Sequence, residues 1–318
     1  MATISFENRV AIVTGAGGGI GRTHALEIAR RGGKVVVNDL GGDVGGRGGS
    51  GIMAERVVEE IRAAGGTAIA NGDSVASSEG AGSLVAAALD AFGRIDVLIN
   101  NAGIMRNAYL EDISDQDWDD VIATHLTGSF KVTRAVWPHM KAQRYGRIVF
   151  TASSAGLFGT PILANYAAAK AGVAGLMNVA AIEGEAHGIL CNGIMPNAEG
   201  RMADRMMADL GADASSGSVE LPPEIGNSMD PGFNAPLAIF LASEACTSTH
   251  ALYSQCLGRV ARVFVGVTTG WQGQRQTPAS VEEIAEHWAE IGDTSRGFTT
   301  PSTPHHELAL VLSQGNAA

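Results

Sequence analysis

The sequence predicts an α/β fold: a doubly wound, parallel, seven-stranded sheet with helices on both faces. Three observations carry that expectation. Short apolar runs alternate with helical patterns six times along the chain. A glycine-rich turn, Gly15-Ala-Gly-Gly-Gly19-Ile-Gly21, joins the first strand to the first helix. An acidic residue, Asp39, stands at the tip of the second strand. Together they make the sheet Rossmann-like.

Val10 to Val13 reads as a buried parallel strand running into Thr14-Gly15. Glycines at 15, 19 and 21, with Ile20 between the last two, allow a tight turn. They also let a pyrophosphate approach the N-terminus of the helix that runs to Arg30, where free N–H groups favour an anion. The spacing is G-x-x-x-G-x-G rather than G-x-G-x-x-G, and the physics is the same. Lys34 to Val37 is the second strand. Asp39 beyond it is suited to accept hydrogen bonds from ribose hydroxyls and to repel a 2′-phosphate. No Lys or Arg occupies positions 38 to 42, so NAD is favoured over NADP.

Leu40 to Gly51 is a long, glycine-rich connection where two to six residues are usual. It reads equally as a cover for the adenosine end of the cofactor or as mobile loop. A helix follows over Ile52 to Ala64, then a strand over Thr67 to Ala70. Asp73, with Ser74 beside it, is either an adenine contact or a helix cap. Ser77 to Phe92 is helical. Arg94 to Asn100 is the fourth strand, ending in Asn101-Ala102-Gly103 at the crevice where doubly wound sheets bind ligands. Asn101 is placed to pin backbone, and Ala102 and Gly103 to leave room for a flat ring or ribose.

Ser114 to Met140 reads as one long helix, bent or ended by Pro138. Gly146 to Thr151 is the fifth strand and Ile189 to Met195 the sixth, with Pro196 at its end counted with the cofactor site. The segment 197–227 has a weak pattern with Met202, Met206, Met207 and Leu210, suited to an adaptable lid over an apolar substrate. Pro231 to Leu241 is a helix; Leu252 to Leu257 is the seventh strand, with Val260 to Val265 as its partner segment. This gives one catalytic domain over 1–271 and a C-terminal extension over 272–318. In that extension Ser280 and Glu283 form a capping box, and Val281, Ile284, Trp288 and Ile291 share one helical face. Thr294 to His306 reads as loop.

Composition bounds the rest. With 45% hydrophobic and 17% charged residues, the 318-residue chain is globular. A net charge of −11 argues against a general nucleic-acid partner. No apolar run reaches membrane-spanning length. Cys191, Cys246 and Cys256 have neither paired nor metal-like spacing, so no metal is expected and a reduced, cytoplasmic protein is. The N-terminus lacks a signal-peptide pattern, and Gly-Asn-Ala-Ala at the C-terminus is no peroxisomal address.

The stretch Ser153 to Lys170 carries the chemistry. Tyr166 and Lys170 are four apart on a helix and so lie on one face. An ammonium one turn from a phenol favours the phenolate, which makes Tyr166 a usable base. Ser153 stands thirteen residues before Tyr166, placed to hold the oxygen that Tyr166 deprotonates.

Taken in order, Thr14-Gly15…Gly19-Ile-Gly21, Asp39, Asn100-Asn-Ala-Gly103, Ser153 and Tyr166-x-x-x-Lys170 resemble the short-chain dehydrogenase/reductase family over about residues 5 to 270. Val36-Val-Asn-Asp-Leu-Gly-Gly42 and Met195-Pro-Asn-Ala198 look like the (3R)-hydroxyacyl-CoA dehydrogenase part of multifunctional enzymes within it, with hydroxysteroid dehydrogenases as bacterial relatives. The resemblance implies that Ser153 orients the substrate oxygen, that Tyr166 transfers the proton, and that Lys170 binds the nicotinamide ribose beside Tyr166. Many members carry an Asn in the long helix whose backbone carbonyl helps hold a relay water; this chain has His125 there, which would keep a backbone role and lose a side-chain one. The implied reaction is NAD-dependent hydride transfer from a lipid-like secondary alcohol. A (3R)-3-hydroxyacyl-CoA leads and a 17β-hydroxysteroid follows; a 3-oxoacyl carrier-protein reductase or a non-catalytic NAD sensor are the remaining readings. A homotetramer is implied by the resemblance alone.

Overall fold

The computed structural model describes residues 3–210 and 228–314. The chain divides into two compact units, Met1–Arg262 and Val263–Ala318, where the sequence placed the division at 271/272.

Eight strands form one sheet, the last ending at the unit boundary: β1 Val10–Thr14, β2 Lys34–Asn38, β3 Thr67–Asn71, β4 Val97–Asn100, β5 Gly146–Thr151, β6 Ile189–Pro196, β7 Ala251–Cys256 and β8 Arg259–Val263. Their order is β3-β2-β1-β4-β5-β6-β7-β8. Each neighbouring pair from β3 to β7 is parallel, as crossover connections through helices require. The sheet therefore has one more strand than expected. The partner segment of β7 joins it as β8, because Leu257 and Gly258 both take positive φ (50° and 80°) and turn the chain back within two residues.

Burial explains the strand sequences. β1 and β4 are buried at every position, as are Val35 to Asn38 of β2, which is why these strands read as continuous apolar runs rather than alternating ones. The helices are α1 Gly19–Arg30, α2 Ile52–Ala63, α3 Ser78–Phe92, α4 Asp115–Ile122, α5 Gly128–Gln143, α6 Ser154–Phe158, α7 Ala164–Glu185, α8 Arg201–Leu210 and α9 Ala235–Ala242. α1, α2 and α9 pack on one core with Ile28, Val57, Ile61, Leu237 and Leu241.

The expected single helix over Ser114 to Met140 is instead two. Ala123–Thr127 forms a π-helical turn between α4 and α5, so the long apolar pattern hid a break. Pro138 does not end α5, which runs on to Gln143. Residues 211–227 of the expected lid lie outside the described residues.

The second unit has a two-stranded ribbon, β9 Val267–Thr268 against β10 Phe298–Thr299, and helices α10 Val281–Glu286, α11 Trp288–Ile291 and α12 Pro304–Gln314. The capping box at Ser280 and Glu283 forms with both hydrogen bonds. The single apolar face expected over Val281 to Ile291 is interrupted at His287, whose ring stacks on Trp271 at 4.3 Å. The expected loop over 294–306 contains β10 and the start of α12.

Candidate active site

Sheet order reverses between β1 and β4, and the site lies at the C-terminal ends of these strands and of β5. Gly15 has φ +61°, and a Cβ there would stand 2.6 Å from the Ala102 Cα. A Cβ on Gly21 would stand 2.3 Å from the Gly15 carbonyl oxygen. These two glycines therefore let the turn fold onto β4. Gly19, with φ +52°, meets nothing within 4 Å and faces open space. α1 begins without a side-chain cap and has no acidic residue in its first turn, so its leading N–H groups are available to an anion. Ile20 lies in this first turn; its carbonyl accepts from the Thr23 hydroxyl (2.7 Å) and the His24 Nδ1 (3.1 Å).

Asp39 lies beside this turn. Its carboxylate accepts from the Gly17 N–H (2.8 Å) and the Gly41 N–H (2.7 Å), which fixes it against the turn with lone pairs to spare. Asp73 does not cap a helix. It accepts from Asn71 Nδ2 (2.7 Å) and the Ser83 hydroxyl (2.6 Å), while Ser77 caps α3. Ser74 accepts from the Ala76 N–H at 3.2 Å. The buried Asn38, which the sequence did not single out, ties β2 to this corner through Asn71 Oδ1 at 2.8 Å. Pro196 is the last residue of β6, at the same sheet edge.

The β4 tip is pinned as expected. Asn101 Nδ2 donates to the Thr14 and Gly15 carbonyls, both at 3.0 Å, and the Thr14 hydroxyl accepts from the Asn101 and Ala102 N–H groups. Gly103 has a different reason from the one expected. A Cβ there would meet the His125 ring 2.3 Å away, so its smallness makes room for a side chain of this protein.

The π-helical turn delivers that side chain. His125 is 1% exposed, and its Nε2 lies 3.0 Å from the Ile104 N–H and 2.8 Å from the Ile104 carbonyl. Its ring meets the Tyr166 ring edge-to-face at 5.1 Å. Burial, with the nearby Lys170 charge, pushes its pKa down to about 3, so the ring is neutral.

β5 and α7 bring Ser153, Tyr166 and Lys170 together. Ser153 is extended at the end of β5 and caps α6, accepting from the Ala155 N–H at 3.2 Å. Its hydroxyl lies on the Tyr166 side of this edge, near enough to lower the phenol's pKa. Lys170 is 4% exposed; its Nζ donates to the Thr151 carbonyl at 2.5 Å and lies 5.6 Å from the Tyr166 ring centre. The expected lowering of the Tyr166 pKa by Lys170 does not occur in the protein alone. Desolvation raises it, opposed only by the neighbouring Ser153 hydroxyl. Desolvation also brings Lys170 down to about 7, which weakens the positive charge that was to favour a phenolate.

Asn165 is fully buried and was not foreseen. Its Oδ1 accepts from the Tyr166 N–H (2.7 Å), and its Nδ2 donates to the Arg106 (2.9 Å) and Asp117 (3.2 Å) carbonyls, so it orients the start of α7. Only its place before Tyr166 could have signalled it. Over the site, Met202, Met206 and Leu210 of α8 pack on the apolar cluster of Met105, Ile162 and Leu163 that also holds Tyr166.

A glycine turn at a helix N-terminus, Asp39 beside it and the Ser153-Tyr166-Lys170 constellation at the same sheet edge are the features of a dinucleotide-dependent oxidoreductase acting on CH–OH groups. The short chain dehydrogenase family profile matches residues 9–210. The chain belongs to the short-chain dehydrogenase/reductase family. It is 44% identical to the mouse peroxisomal multifunctional enzyme type 2 over 92% of this chain and 38% of that enzyme. It is 43% identical to a Mycobacterium tuberculosis chain named as a short-chain type dehydrogenase/reductase, over 91% of this chain and 96% of that one. The structure of the full-length multifunctional enzyme type 2 from Drosophila melanogaster superposes with a TM-score of 0.79 at 32% identity, covering 98% of this chain and 50% of that one. The chain thus spans only part of the multifunctional relatives that it matches.

Proposed function

We propose that this protein is an NAD-dependent dehydrogenase that oxidises (3R)-3-hydroxyacyl-CoA to 3-oxoacyl-CoA. The observation that carries the reaction is the gathering of Ser153, at the end of β5, and Tyr166 with Lys170 one helical turn on, its Nζ 5.6 Å from the Tyr166 ring centre. The substrate class is supported by the likeness to multifunctional enzyme type 2 and by the apolar cover of Met202, Met206 and Leu210. NAD rather than NADP is supported by Asp39, whose carboxylate would repel a 2′-phosphate.

The nicotinamide supplies the hydride-accepting carbon when bound. The residues do the rest. Gly15 to Gly21, Asp39, Asp73, Ser74, Pro196 and the Asn101–Gly103 tip would hold the dinucleotide, and Lys170 would bind its nicotinamide ribose. Ser153 donates to the substrate oxygen and orients it toward Tyr166. Tyr166 accepts the hydroxyl proton as the carbon loses hydride. Burial raises the Tyr166 pKa, so the positive charge of a bound oxidised nicotinamide would favour the phenolate that accepts this proton. A homotetramer in the cytoplasm completes the reading; the exposed Val179 and Ile182 on α7 and Phe130 on α5 support association through these helices.

Tyr166→Phe is expected to lower kcat by about a thousandfold, within the range for a lost general base, while NADH binding is retained. Steady-state oxidation of a (3R)-hydroxyacyl-CoA with a parallel NADH fluorescence titration measures both. Retained turnover would refute the assignment. A preference for a 17β-hydroxysteroid or for NADPH in the same assay would replace the substrate or the cofactor.

A further inference from the structure

The glycine-rich segment 40–51 leaves β2 on the cofactor side and reaches the substrate side. Gly41 donates to Asp39 at the ribose corner. Three successive residues then meet three successive residues beyond the β4 tip. The Val44 carbonyl accepts from the Met105 N–H at 2.9 Å. The Gly45 carbonyl accepts from Arg106 Nε at 2.5 Å. Gly46 lies so close to Ile104 that a Cβ would stand 2.8 Å from its Cγ2. The segment is therefore a tied strap rather than mobile loop.

Its anchor is rigid. The Arg106 side chain is 13% exposed and is paired with Asp117 at 2.8 Å and Asp120 at 3.2 Å, both on α4. The Arg106 carbonyl accepts from Asn165, the residue before Tyr166. Val44 is half-buried against the apolar cluster of Met105, Ile162 and Leu163 that also receives Tyr166 and the α8 methionines. A connection twice the usual length thus places one apolar side chain on the cluster that also receives Tyr166.

We infer that Val44 is a specificity-determining residue: carried by the strap, it forms the substrate-facing wall opposite α8 and limits the size of the alcohol that reaches Tyr166. This rests on the proposed dehydrogenase reading. An apolar wall changes selectivity by about tenfold or more per methylene-sized change in a close-packed pocket.

The test is kcat/KM of the wild type, Val44→Phe, Val44→Ala and the near-isosteric Val44→Thr for a panel of secondary alcohols: (3R)-hydroxybutanoyl-CoA, (3R)-hydroxydecanoyl-CoA and a 17β-hydroxysteroid. Val44→Phe is expected to lower the ratio of large to small substrates about tenfold, and Val44→Ala to raise it. The KM for NAD should stay within about twofold, since the Val44 main-chain tie survives each substitution. Val44→Thr, which keeps the volume, supplies a reading if Val44→Phe does not fold; it should weaken the large apolar substrate selectively. Identical ratios in all variants, or a change confined to the KM for NAD, would overturn the inference. A wild type that binds NADH but oxidises no member of the panel would instead refute the dehydrogenase reading, and Val44 would have no selectivity to set.

Discussion

At residue 125 a histidine is buried against Tyr166 and is held neutral, its pKa pushed down to about 3 mainly by burial. Its position in the sequence suggested a backbone role or none. The structure gives its side chain a positioning one, because Nε2 lies against both polar groups of the Ile104 backbone and the ring fills the space that Gly103 vacates. His125→Leu removes the one Nε2 hydrogen bond to the Ile104 backbone, and losing a hydrogen bond of this kind costs about 0.5–1.5 kcal/mol. Urea unfolding should show a loss of that order; an unchanged midpoint would mean that the contact contributes nothing. Tyr166 teaches the same lesson about charge. The spacing to Lys170 was legible and so was the shared helix face. The sign of the pKa shift was not, because desolvation depends on everything packed around both groups.

At the scale of elements, the β1–turn–α1 unit was readable because the glycine spacing lies between a strand and a helix, although Gly15 and Gly21 owe their smallness to the distant β4 tip as well. Gly21→Ala tests this. The added methyl would stand 2.3 Å from the Gly15 carbonyl oxygen and 2.5 Å from Asn101 Nδ2, so the turn and the β4 tip must separate. The expected result is at least about a tenfold rise in the NADH Kd by fluorescence titration, a loss near 1.4 kcal/mol, with the far-UV circular dichroism retained. Wild-type affinity would show that the turn adapts. The helix over 114–140 was misread for a physical reason: its packing residues recur at helical spacing on either side of the break, and a π-helical turn adds a residue without disturbing composition. The strap over 40–51 was left open between cover and mobile loop because its fastening depends on Met105 and Arg106, remote in sequence and close only in the fold.

Across the whole molecule, two buried histidines couple stability to pH. His24 and His125 have folded-state pKa values pushed down to about 4 and about 3 from an ordinary 6.5. The unfolded chain therefore binds more protons below pH 6.5, so the stability that each neutral ring contributes is complete above that pH and is lost as pH falls toward the folded value. Between pH 6.5 and 5 each costs about 2 kcal/mol. Thermal denaturation should show Tm falling over this window, and His24→Leu, which also removes the unpartnered Nε2, should flatten the decline. A pH-independent Tm in the wild type would contradict the assignment of both rings as neutral.

The sequence by itself determined the strand–helix alternation, the dinucleotide turn, Asp39, the β4 tip and the Ser153–Tyr166–Lys170 trio. Each of these is a local pattern: periodicity, a backbone conformation open only to glycine, or a four-residue step along one helix face. Only the tertiary structure decided that His125 supports Ile104 and Tyr166, that Asn165 orients α7, that Val263 closes an eighth strand, and that Val44 packs on the cluster that also receives Tyr166. These depend on contacts between segments far apart in the chain, and on burial that no single stretch encodes.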